Sequence, residues 1–184
     1  MSKINYHEID LKNTSEVLST VSYYFPDIEF THTEGTYDRF DFDFVMTTTD
    51  GIEIECSGEA KLRKGTTMEQ YPNSYLNSGK WRWLLENKEN PYAFIGYDDG
   101  VIIYRLRDLP KYEILQDVIE LAKRGAELPD EKPKGYVCPE NKWARWEYVW
   151  NPARGQYGWE LNVKLPIPQI DEKIKGVTML YNVN

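Results

Sequence analysis

Residues 37–63 alternate apolar and polar side chains on both sides of the segment Thr47-Thr48-Thr49-Asp50-Gly51. An alternation with a period of two suits a β-ribbon and is incompatible with a helix. In the second half Ile52, Ile54, Cys56, Gly58, Ala60 and Leu62 share one face, and Glu53, Glu55, Ser57, Glu59, Lys61 and Arg63 share the other. In the first half Phe40, Phe42 and Phe44 oppose Asp41, Asp43 and Val45. Asp50-Gly51 supplies the positive-φ residue that a tight hairpin connection needs. Pairing the two strands therefore brings Asp41 or Asp43 beside Glu59 and Lys61 on one surface.

Two carboxylates and an ammonium converging on one spot can serve phosphodiester hydrolysis. A hard cation such as Mg²⁺ prefers oxygen ligands and keeps several waters, so one or two carboxylates plus a substrate phosphate suffice to hold it. A lysine two residues beyond the carboxylate lies on the same strand face, where it can orient the attacking water and stabilise charge on phosphorus. The alternative is an exposed strand face, on which Glu and Lys alternate for solvation and cross-strand Asp–Lys pairs are ordinary. A basic tract follows at once, with Lys61, Arg63 and Lys64 running into Gly65-Thr66-Thr67.

The order Tyr37-Asp38-Arg39-Phe40-Asp41, hairpin, Glu59-Ala60-Lys61-Leu62-Arg63 and then a helix carrying Lys80 resembles the PD-(D/E)xK nuclease superfamily. The likeness is greatest to its small phage and bacterial members. It spans roughly residues 13–106 and rests on order and spacing, the individual motifs being short. The resemblance implies a restriction-endonuclease-like αβββαβ core and a Mg²⁺- or Mn²⁺-dependent deoxyribonuclease, whether endonuclease or exonuclease. It further implies that Asp41 and Glu59 hold the metal, that the Ala60 backbone carbonyl adds a ligand, and that Lys61 serves the nucleophilic water. Lys80 would reach phosphate or nucleophile from its helix. Glu16, on the first helix, would be an extra metal ligand by the same resemblance, although a capping role explains it without chemistry. Two departures stand out: Phe40 takes the place of the proline, and Asp38, Asp41 and Asp43 compete for the first ligand position, with Asp41 best suited by spacing.

At 184 residues, 41% apolar and 14% aromatic, the chain can bury a real core, and one domain is expected over residues 1–184. No apolar run approaches the length of a membrane span, and the first residues lack the apolar centre of a secretory signal. Cys56 and Cys138 are far apart and form no ligand-spaced pair, so a reducing, cytoplasmic setting is the default. The net charge of −8 runs against a duplex-binding surface. Lys61, Arg63, Lys64, Lys80 and Arg82 cluster near the site, however, while acidic groups at 27–34 and 127–131 can face away. With only His7 and His32 present, serine or cysteine hydrolysis has no support.

Elsewhere Asn13 followed by Glu16 reads as a capping box opening a helix that ends near Tyr24, before Pro26. Residues 28–33 read as a strand. A second helix is expected over 74–87, with Leu76, Trp83 and Leu84 on its apolar face and Gly79 permitting close packing on the sheet. Trp81 suits the core better than base stacking. Residues 92–97 and 101–106 form a second hairpin around Asp98-Asp99-Gly100. Residues 107–184 read as an extension: a helix over 109–125, a loop over 130–139, then Trp143, Trp146, Tyr148, Trp150, Tyr157 and Trp159 interleaved with Lys142, Arg145, Arg154 and Lys164. That aromatic and basic set suits single-stranded DNA, one wall of a sheet, or a homodimer contact. The expected class is α/β, a mixed sheet flanked by helices, acting as a metal-dependent DNA nuclease. The alternative is a catalytically silent module of the same shape that binds nucleic acid or a protein partner.

Overall fold

A computed structural model of the chain describes residues 6–33, 40–70, 73–108, 144–151, 156–167 and 176–180. The elements are α1 (Tyr6–Tyr24), β1 (Phe30–His32), β2 (Phe42–Thr47), β3 (Glu53–Arg63), β4 (Asn73–Asn77), α2 (Ser78–Asn87), β5 (Pro91–Tyr97), β6 (Gly100–Arg105), β7 (Ala144–Asn151), β8 (Gln156–Pro166) and β9 (Gly176–Leu180). Six strands make a mixed sheet in the order β1-β2-β3-β5-β6-β9, and β4, β8 and β7 make a second sheet in the order β4-β8-β7. The class is α/β, with helices on the two faces of the larger sheet. The expected helix 109–125 and loop 130–139 lie outside the described residues, as do Asp38, Lys142, Trp143 and Arg154.

The alternation of the first ribbon is realised. β2 pairs antiparallel with β3 in the register Phe42↔Gly58 and Phe44↔Cys56. Gly51 closes the turn at φ 78°, with Gly51 N–H donating to Thr48 O at 2.9 Å. β3 pairs parallel with β5, setting Glu59 opposite Ala93 and Lys61 opposite Ile95. A parallel neighbour requires a crossover connection, and β4 with α2 provides it. Because β3 is central, its face is covered on both sides from Cys56 to Ala60.

Two buried clusters follow from the alternation. On one face Val17, Leu18 and Val21 of α1 meet Phe42, Phe44, Cys56, Ala60, Phe94 and Ile103. On the other, Trp81, Leu84 and Leu85 of α2 meet Ala93, Ile95, Ile102 and Tyr104, joined by Leu161, Val163 and Leu165 of β8. Trp81 is fully buried, as its core reading requires. Phe40 belongs to this second face, not with Phe42 and Phe44: it precedes β2, and its ring stacks on Trp83 at 5.6 Å and 11°. Among the described residues no helix is long and apolar enough to cross a membrane.

Two expected boundaries are corrected. The first helix does not open at Asn13 but seven residues earlier, at Tyr6. Asn13 sits in its interior, where the buried Thr14, Val17, Leu18 and Val21 hold the helix to the sheet and outweigh the weak helix propensity of asparagine. Residues 73–77 form a strand rather than the start of a helix, because they pair antiparallel with β8, Leu76 opposite Val163. α2 then starts at Ser78, where the Asn77 side chain accepts from Gly79 N–H at 2.9 Å and Lys80 N–H at 3.3 Å. Gly79 is small for that cap: a Cβ there would lie 3.0 Å from Asn77 Oδ1, not against the sheet. The aromatic part of the extension is a β7–β8 hairpin, Tyr148 opposite Trp159. Tyr148 and Tyr157 stack at 5.5 Å, both exposed.

Gly58 is where a side chain is least tolerable in this ribbon, since a Cβ there would overlap the ring of the fully buried Phe42. Gly58→Ala should cost about 1–3 kcal/mol as an overpacking change, and Phe42→Ala about 3–5 kcal/mol as a cavity, both read from urea denaturation. Burial pushes the Cys56 thiol up to about 11, against a smaller downward pull from Arg105. In a Cys138→Ser background, Cys56 should therefore resist a thiol reagent at pH 8 in the native protein and react fully in guanidinium.

Candidate active site

Asp41 stands just ahead of β2, where the first ribbon and α2 meet. Its backbone N–H donates to Gly58 O at 2.9 Å, and its carbonyl accepts from Thr33 N–H at 3.1 Å. Thr33 Oγ1 also donates to Phe40 O at 2.9 Å, fixing the approach to the strand. The Asp41 side chain replaces a ladder partner: Ala60 N–H, just past the last β2 pair, donates to Oδ2 at 2.8 Å. One carboxylate oxygen is thus held by the sheet, and Oδ1 faces Lys80 Nζ at 3.4 Å.

Glu59, on β3, is fully buried. Lys80 Nζ lies 2.6 Å from its Oε1 and 2.7 Å from its Oε2. Lys61 Nζ approaches Oε1 at 2.8 Å and lies 3.9 Å from Asp10 Oδ1 on α1. Burial is the largest influence on the Glu59 carboxyl and pushes it above the usual range; the Asp41 charge adds to this, while Lys61 and Lys80 oppose it. For Lys61 burial acts against the ammonium, but the charges of Glu59 and Asp41 together outweigh it and raise the group above its ordinary value. Four groups of balanced charge thus neutralise one another around a carboxylate that water does not reach, while the two lysine side chains stay 31% and 28% exposed.

Of the expected site residues, Asp41, Glu59, Lys61 and Lys80 come together. Of Ala60 the structure records the N–H, which orients Asp41. Glu16 is drawn away from this cluster: its exposed carboxylate pairs with Lys64 Nζ at 3.1 Å. Asp43 belongs to a neighbouring group, accepting from Ser57 Oγ and Lys88 Nζ, the latter at 3.4 Å. The basic tract is also committed: Arg63 Nη2 donates to Tyr75 O at 2.9 Å, and Arg82 faces Glu86 at 3.8 Å. Sequence reasoning missed Asp10, whose helix was expected to begin later, and Lys88, which also lies 3.9 Å over the Phe40 ring.

Beside the cluster, along β1, β2 and β3, runs an open cleft of about 650 Å³. It carries Asp27, Glu29, Asp43, Glu53, Glu55 and Glu89, with Lys88 at its margin; none of Asp41, Glu59, Lys61 and Lys80 lines it. Among the described residues no group of three or more His, Cys, Asp and Glu side chains is gathered as a metal site. The chain is thus an α/β protein with a buried carboxylate–lysine centre on an interior strand of its larger sheet. Compared with known proteins, it matches no family model, no curated protein and no solved structure.

Because two lysines compensate Glu59, removing both should expose the cost of its burial. A Lys61→Met/Lys80→Met double variant should lose about 3–5 kcal/mol near pH 8. With its partners gone the folded-state carboxyl rises further, so the folded state holds a proton that the unfolded state has released. Stability then falls as pH rises above the ordinary carboxylate range. Urea denaturation at pH 5 and pH 8 should show a steeper loss for the double variant than for the wild type.

Proposed function

We propose that the Asp41–Glu59–Lys61–Lys80 cluster is the active centre of a Mg²⁺- or Mn²⁺-dependent DNA nuclease. The observation that carries this reading is that one cationic atom, Lys80 Nζ, touches both carboxylates, at 2.6 Å and 3.4 Å. The two carboxylates are therefore close enough to share a single cation. Asp41 and Glu59 form a pair, not a group of three, and two carboxylates suit Mg²⁺, which retains waters and accepts substrate phosphate as a further ligand. When bound, the cation would supply Lewis acidity toward the phosphate and lower the pKa of a water.

The chain's own residues do the rest. Asp41, fixed through Oδ2 by Ala60 N–H, holds Oδ1 in a constant direction. Glu59, with no exposure, cannot swing away. Lys61, about one-third exposed, can hold the attacking water and hydrogen-bond a phosphate oxygen as charge builds on it. Water oxygen attacks phosphorus, one P–O ester bond breaks, and a phosphomonoester and an alcohol leave. The acidic cleft beside the centre repels a phosphate backbone, so DNA would approach from the α2 side.

The mutual neutralisation of the four charges also favours a second reading, a silent module in which the cluster only ties α2 to the sheet and the surface binds nucleic acid or protein. Incubation of wild type and Lys61→Ala with linear, circular and single-stranded DNA, in Mn²⁺, Mg²⁺ or EDTA, separates the two. The nuclease reading expects metal-dependent cleavage that falls about 10²–10³-fold in Lys61→Ala. Absence of cleavage on every substrate, with no metal heat in calorimetry, would establish the silent module instead.

A further inference from the structure

We infer that Lys80 is the resident cation of this centre, holding the position between Asp41 and Glu59 until a divalent metal ion displaces it. The inference rests on the metal-dependent reading above and adds to it an exchange step between two cations.

The two lysines are not equivalent. Lys61 touches Glu59 Oε1 at 2.8 Å and is turned toward Asp10 on α1. Lys80 instead contacts both Glu59 oxygens and reaches Asp41 Oδ1 at 3.4 Å, bridging the carboxylates. A metal bound to the same oxygens at about 2.1 Å cannot coexist with an ammonium in that position. Retaining both lysines would also leave a doubly positive centre in a poorly screened site, whereas releasing one relieves half of that charge.

Placement, not exposure, separates the stayer from the leaver, since the Lys61 and Lys80 side chains are 31% and 28% exposed. The carboxylates are locked, Asp41 by Ala60 N–H and Glu59 by complete burial. The Lys80 side chain is 28% exposed, and its flexible four-carbon stem lets the ammonium leave by changing rotamer. The Lys80 backbone can stay in place, because its N–H is tied to the Asn77 cap. A cation in the first turn of α2 gains nothing from the helix dipole, which favours anions there. The attraction that holds Lys80 inward is the carboxylate pair, and that attraction ends when a metal neutralises the pair. The released ammonium then stands at the mouth of the centre, where the phosphate arrives.

The full chain tests this with Mn²⁺ as the probe. Calorimetry and thermal unfolding should be run on wild type, Lys80→Met and Lys61→Met. The expected result is Mn²⁺ binding about tenfold tighter in Lys80→Met than in wild type, with a larger rise in Tm on adding Mn²⁺, and no such gain in Lys61→Met. Unchanged or weaker binding in Lys80→Met, beside a wild type that binds, overturns the exchange and leaves the nuclease reading standing. Equal tightening in both variants also overturns it, as general relief of positive charge. Absence of Mn²⁺ binding in all three removes the nuclease reading and the exchange together. A measurement without variants guards against misfolding: Lys80 should acylate several-fold faster in wild type with Mn²⁺ than in EDTA, measured by peptide mass spectrometry, while Lys88 keeps its rate. Equal Lys80 rates with and without bound Mn²⁺ would sink the proposal.

Discussion

A carboxylate with no exposure to water, Glu59, sits in the middle of the sheet, and the surrounding structure is arranged to tolerate it. Burying an unpaired charge is costly enough that a group usually neutralises instead. Here the compensation comes from two directions, Lys61 two residues along the same strand and Lys80 from the helix that crosses over it. Asp41 enters the same group from just ahead of the neighbouring strand. Three elements are thereby joined by charge at a point where the apolar core gives way to polar groups. Hydrophobic burial on the two faces holds the sheet and helices together, but it does not specify this meeting point. The ion cluster does, and breaking it from either lysine leaves the same buried carboxylate to be accommodated.

The ribbon carrying this cluster was legible because its signals are local. Alternation from Phe42 to Arg63 names the strand faces, Asp50-Gly51 names the turn, and a period of two puts Glu59 and Lys61 side by side. Spacing favoured Asp41 over Asp43, and the register adds the physical reason: Asp43 falls opposite Ser57 and is drawn to Lys88, while Asp41 lies beyond the paired strand and turns its carboxylate to Ala60 N–H. The start of α1 was misplaced because Asn13 and Glu16 imitate a cap inside a helix held by packing. β4 was misread because a strand of Asn-Ser-Tyr-Leu-Asn has little pattern of its own. Its partner, β8, lies far along the sequence. Pairing over such a distance overrides local propensity and leaves no trace in a short window.

Charge is segregated more sharply than the total of −8 suggests. One side of the β1–β2–β3 region presents six carboxylates along an open cleft, and the adjacent end of the same strands holds the neutralised cluster. Lys88 lines the cleft as well, paired with Asp43 and resting on the Phe40 ring, itself stacked on Trp83. An anion approaching the cluster therefore meets an unfavourable field from the cleft side. The total charge of a chain limits its long-range attraction to nucleic acid; it does not decide the sign at a site a few ångströms across.

Among the described residues, Asn77 ties the second sheet to the first turn of α2 by hydrogen bonds. Asn77 ends β4, and its Oδ1 caps the first turn of α2, accepting from Gly79 and Lys80 N–H. Its Nδ2 donates to Glu160 Oε2 on β8 at 3.0 Å, with Asn77 opposite Asn162 in the ladder. The turn of helix that aims Lys80 at the carboxylates is thus fixed by the sheet that displays the Tyr148–Tyr157 stack. Helix α2 alone, ten residues long, is too short to be stable in isolation. Its buried Trp81, Leu84 and Leu85 hold its axis against the core, but an apolar stripe leaves the starting residue free to slide by a turn. The cap removes that freedom. The position of the lysine relative to the two carboxylates therefore depends on pairing between β4 and β8, and the extension is part of the framework of the site.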